Sequence, residues 1–69
     1  MIAVFSKSEA DYKGLLEVTP SKMFIRIKDM YDIRGRKFTG IIRTHQWFLN
    51  EAVEEAYDFL RMRQPELFD

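Results

Sequence analysis

Between Lys22 and Arg43 seven side chains carry a positive charge and only Asp29 and Asp32 oppose them, a local balance of +5 in a chain whose net charge is zero. Cations at that density neutralise phosphates and release counterions, and an aromatic ring among them gives an unpaired base a surface to stack on. Lys22, Phe24, Arg26, Lys28 and Met30 alternate with Met23, Ile25 and Ile27, which predicts a strand with one apolar face and one basic face containing a ring. Arg36, Lys37 and Arg43 are placed to join that basic face from a neighbouring strand. The residues expected to bind nucleic acid are therefore Phe24, Arg26, Lys28, Arg36, Lys37 and Arg43. The same pattern also suits a solvated sheet face, where long cationic side chains discourage edge pairing.

Other chemistries find less material. The chain has no cysteine and one histidine, which excludes disulfides and thiolate zinc sites. His45 has no nucleophile or carboxylate placed to act with it, and reads as a surface or capping residue. Glu51, Glu54, Glu55 and Asp58 lie along one side of a helical segment, a convex face with no pocket to shift their pKa values. No phosphate-cradling glycine loop or metal set is present, so the expectation is a binder with no cofactor, not an enzyme.

The elements that must position these residues follow from local pattern. Ile2–Phe5 is a short apolar run for a first strand (2–6), and the polar stretch Ser6–Lys13 reads as a loop. In a second strand (14–19) Leu16 and Val18 alternate with Glu17 and Thr19, and Pro20–Ser21 makes a turn. The basic strand occupies 22–31, Arg34–Gly35 the next turn, and 36–43 a fourth strand in which Gly40 signals a bulge or a close backbone approach. Leu49, Ala52, Val53, Ala56, Phe59 and Leu60 then recur at helical spacing within a helix over 45–63, with Thr44 or Asn50 as N-cap and Pro65 beyond its end. The expected fold is one α+β domain (1–69), a four-stranded antiparallel β-sheet followed by one C-terminal amphipathic α-helix.

A core this small gains from a partner. Trp47 is expected to pack between the sheet and the first helical turn, with base stacking or a dimer contact as the alternatives. Tyr57, Met62 and Phe68 fall outside the main apolar stripe, and with Trp47 they are the residues expected at a homodimer or partner contact. The run Met1–Phe5 is too short for a signal-peptide core or a membrane span, which points to an intracellular chain, cytoplasmic or in the nucleoid or nucleus.

The stretch Ile25 to Trp47 resembles the positive-cofactor-four family of transcriptional coactivators. The matching residues are Ile25, Ile27, Lys28, Asp29 and Tyr31, then Gly35, then Gly40 and Ile41, then Thr44, Gln46 and Trp47. The turn is shorter than that family's, and one residue fewer separates Thr44 from Gln46. The helix Glu51–Arg63 is similar to the ending of Pur-alpha-type modules, built from four strands and a helix. These resemblances imply a homodimer whose curved basic sheets bind single-stranded DNA or RNA, with Lys28 at the family's basic position and a role in transcription regulation. The alternative is a protein-interaction module, an adaptor or an inhibitor of a larger enzyme, using the charge-split surface.

Overall fold

The computed structural model describes residues 1–68. It contains three strands and two α-helices: β1 (Ile2–Phe5), α1 (Glu9–Val18), β2 (Phe24–Ile27), β3 (Gly40–Arg43) and α2 (Glu51–Arg63). Short 3-10 turns stand at Met30–Asp32, Trp47–Leu49 and Pro65–Phe68. The strands form one sheet in the order β2-β1-β3, and both pairings are parallel.

This corrects the four-stranded antiparallel sheet with a single helix. The segment expected as a second strand (14–19) lies largely within α1, as does much of the expected loop. Parallel neighbours cannot be joined by a hairpin turn, so β1 and β2 need a crossover, and α1 supplies it. The turn at Gly35 is real, with φ at 72°, but it bends an irregular connection and joins no hairpin. That connection, residues 28–39, carries the chain past β1 to its other side. The expected strands over 22–31 and 36–43 shrink to Phe24–Ile27 and Gly40–Arg43. Gly40 sits in a regular ladder opposite Ile2, and a Cβ there would meet only Ile2 Cγ1 at 3.9 Å.

α1 forms for local reasons. Ser8 is its N-cap, with Oγ accepting from Asp11 N at 3.3 Å, and Glu9 and Asp11 suit the positive end of the helix dipole. Ion pairs at i,i+4 join Lys7 to Asp11 at 3.4 Å and Lys13 to Glu9 at 3.6 Å. Gly14 works against it, because a glycine inside a helix is about 0.8–1.0 kcal/mol less favourable than alanine. α1 buries no residue completely; Tyr12, Leu15 and Leu16 are half-buried.

Strand register sorts the two faces of the sheet. Ala3, Phe5 and Ile27 join Val53, Ala56 and Leu60 of α2 in the main core, with Ile25 and Ile41 packed against it. Ile33 and Phe38 from the 28–39 connection are also buried there. Val4 is level with Arg26 and Ile42 on the opposite face. Tyr12 Oη donates to Phe24 O at 3.4 Å and Leu15 shares a cleft with Ile42, which puts α1 over that second face. The sheet is therefore covered on both sides, as parallel sheets are, and the apolar Ile2–Phe5 fits its central place.

α2 follows its apolar stripe, but starts at Glu51. Asn50 caps it, accepting from Ala52 N at 3.1 Å and Val53 N at 3.4 Å. Among the described residues no helix is long and apolar enough to cross a membrane.

Candidate nucleic-acid interface

The cations of Lys22–Arg43 do not share one sheet face. Phe24 and Arg26 stand on the α1 side of β2, and Arg26 Nε is buried there without a hydrogen-bond partner. Lys28 is exposed just past the carboxyl end of β2. Arg34, Arg36 and Lys37 are exposed on the connection that leads back to the amino end of β3, while Arg43 closes the carboxyl end of that strand. Among the described residues, ion pairs form only between Lys7 and Asp11 and between Lys13 and Glu9. None of the seven cations has a carboxylate of the described residues within ion-pair distance.

The two acids of this segment are occupied by backbone. Asp32 Oδ2 accepts from Lys28 N at 2.7 Å and from Asp29 N at 3.3 Å, and Asp29 Oδ1 accepts from Tyr31 N at 2.9 Å. This reciprocal capping fixes the Met30–Asp32 turn and holds Tyr31 outward, 75% exposed. The Arg34 guanidinium lies 5.7 Å from the centroid of the Tyr31 ring. An exposed ring on a braced turn, backed by Arg34 and followed by Arg36 and Lys37, is a stacking platform with cations beside it.

A second concave place was not visible from the sequence. In the order β2-β1-β3 the helix that follows β1 covers one face of the sheet and the helix that follows β3 covers the other, which makes the carboxyl ends of β1 and β3 a switch point, where open parallel sheets commonly bind ligands. A cleft of about 460 Å³ opens there between α1 and β3, with Lys7, Asp11, Thr44 and His45 at its polar side; Arg43 lines it from the strand while its guanidinium turns to Tyr57 of α2. Leu15 and Ile42 supply apolar wall, and Gly14 lines it as well.

These side chains are held. Thr44 is tied to β1 through its N–H at 2.9 Å and its Oγ1 at 3.3 Å, both donating to Phe5 O. Asn50 Nδ2 donates to Lys7 O at 3.2 Å, and Lys7 Nζ reaches Asp11 and, at 3.4 Å, Gln46 Oε1. Gln46 takes a left-handed backbone (φ 55°), uncommon for a residue with a side chain. Arg43 Nη1 donates to Tyr57 Oη at 3.0 Å.

Of the six residues expected at the interface, only Arg43 lies on this cleft. Lys7 and His45 were missed. A signal for Lys7 stood in the sequence: Ser8-Glu9-Ala10-Asp11, a serine followed three residues later by an acid, is a helix-start pattern. His45 had no comparable signal, because its neighbours in space come from β1 and α1.

Of the residues expected at a dimer or partner contact, three pack within their own chain. Tyr57 meets Phe5, Trp47 and Phe68 with ring centroids 5.2, 4.4 and 4.9 Å away. Met62 is 84% exposed. Compared with known protein families, curated proteins and solved structures, the chain has no match.

Proposed function

We propose that the chain is a non-enzymatic binding module for single-stranded nucleic acid, engaging it through the Lys28–Lys37 connection. The observation that carries this reading is the set of cations between Lys22 and Arg43 that no carboxylate neutralises at ion-pair distance among the described residues. Such groups are available to phosphates, and Tyr31 under Arg34 adds a sequence-tolerant stacking surface. Lys28, Arg34, Arg36 and Lys37 hold the strand, and Tyr31 stacks a base.

Fluorescence anisotropy with a labelled single-stranded oligonucleotide tests it. Affinity should fall as salt rises, with a slope set by the number of phosphates engaged. Replacing Arg36 and Lys37 together by alanine should weaken binding and reduce that slope by about 1.4, about 0.7 for each phosphate of a single strand no longer held. Absence of binding at low salt removes the reading and favours a protein partner. Exposed Phe48 and Leu49 are the apolar residues such a partner would find beside α2.

A further inference from the structure

The turn that presents Tyr31 meets α2 around a small pocket. Met30, Tyr31 and Arg34 line it from the turn and Phe59 lines it from the helix, around a volume of about 220 Å³. That is below the roughly 300–1,000 Å³ of sites for drug-sized ligands, room for one ring system and not for a whole nucleotide.

Both sides of the pocket are fixed from behind. Asp29 and Asp32 cap the turn, and Ile33 next to it is fully buried in the core. Phe59 is half-buried and packs against the same core. A ligand therefore meets walls that need little further ordering, which lowers the cost of binding.

The chemistry of the lining selects the occupant. It consists of two rings, a thioether and a guanidinium, with no carboxylate. The Arg34 guanidinium lies 5.7 Å from the Tyr31 centroid, and that of Arg63, outside the lining, lies 5.5 Å from the Phe59 centroid. Neither arginine has an ion-pair partner among the described residues. Arg36 and Lys37 follow on the same connection. An apolar side chain of a protein partner would use the rings and leave these cations idle. A planar ring carried on a chain of phosphates uses both.

We infer that this pocket seats one unstacked base of a bound single strand, with Tyr31 and Phe59 as two walls of one base site. Phe59, a member of the apolar stripe of α2, then touches ligand as well as core. The inference rests on the single-strand reading and gives its exposed ring a second wall.

The full chain would be titrated with a labelled single-stranded DNA oligonucleotide and with an abasic strand of the same length, which keeps the phosphates and lacks the bases. The parent should bind the base-bearing strand about fivefold or more tightly than the abasic one, as stacking of one base on a ring requires. Phe59→Leu, which stays apolar, should weaken the base-bearing strand by about fivefold, the lower end of one stacked base. It should leave the abasic strand and the salt slope unchanged, because no phosphate contact is lost. Tyr31→Ala and Phe59→Leu together should weaken binding by less than the product of their separate effects, since both touch the same base. If the leucine variant does not fold, nitrogen-15 spectra of the parent decide: the amides of Tyr31 and Phe59 should move with the base-bearing strand and far less with the abasic one. The inference is overturned by a Phe59→Leu chain that binds both strands as the parent does, by an equal loss on both, by effects at Tyr31 and Phe59 that multiply, or by amides that respond alike to the two strands. In each of those outcomes a strand is still bound and only the base pocket falls. Absence of binding to either strand at low salt overturns the single-strand reading itself, and the pocket then belongs to a protein partner.

Discussion

The side-chain amide of Gln64 closes on the backbone of Phe38 in both directions, accepting from Phe38 N at 2.8 Å and donating to Phe38 O at 2.9 Å. Both residues are buried, so neither backbone group has water to fall back on. Gln64 thereby fastens the end of α2 to the connection that enters β3. Replacing it by alanine should lower stability by about 1–3 kcal/mol, the effect of leaving buried groups unpaired. Urea denaturation would measure this, and an unchanged midpoint would show that the connection finds other partners.

Asp32 braces the turn that presents Tyr31. Asp32→Ala removes acceptors from the amides of Lys28 and Asp29, and should cost about 1.5–3 kcal/mol as hydrogen bonds to a charged group disappear. Hydrogen exchange at those two amides should accelerate more than exchange in β1. Unchanged protection would mean that the turn does not depend on this carboxylate.

Tyr31 itself contributes little to folding, being largely exposed. Tyr31→Ala should leave the denaturation midpoint in place and weaken single-strand affinity by about 1–3 kcal/mol, the worth of one base stacked on a ring. Tyr31→Phe should bind nearly as the parent does. Equal affinity of the alanine variant would remove Tyr31 from the interface.

Arg26 separates a half-buried cation from a binding one. Its Nε is enclosed on the α1 side without a partner, so Arg26→Met, which keeps an unbranched stem, should leave stability equal or higher. Strand affinity should be unchanged. A loss of affinity with stability intact would return Arg26 to the interface.

Tyr57 links the aromatic cluster to Arg43. Tyr57→Ala should destabilise by about 3–5 kcal/mol, as large-to-small aromatic changes in cores do, because Phe5, Trp47 and Phe68 all pack on that ring. Tyr57→Phe keeps that packing and frees only the guanidinium, so denaturation followed by Trp47 fluorescence should shift little. A large shift in the phenylalanine variant would place the stability in the Arg43 hydrogen bond.

What could be read from the residues differs by element. α2 was legible because its apolar stripe runs over several turns and Asn50 is a strong cap, and Ile25 and Ile27 do face the α2 core as their alternation requires. α1 was not. Leu16 and Val18 alternate with polar neighbours over too few residues to separate a strand from a helix, Gly14 weakens the helical signal, and the helix buries no side chain fully. Strand direction was not legible either, since parallel and antiparallel pairing are decided by residues far apart in the chain. Mistaking α1 for a loop and strand left the basic face of β2 uncovered in the expected fold. It also hid the cleft, which exists only because α1 and β3 lie side by side.

The middle strand of the sheet is the one nearest the amino end, and this sets the order in which the protein can assemble. During synthesis β1 has no strand to pair with until Phe24 and its neighbours emerge, and its other side stays open until Gly40–Arg43 arrive. No local hairpin offers an earlier foothold, so folding waits on distant meetings and should be slow for so short a chain. A nascent chain halted before residue 40 would carry an apolar strand with one flank bare, a state open to pairing with another molecule.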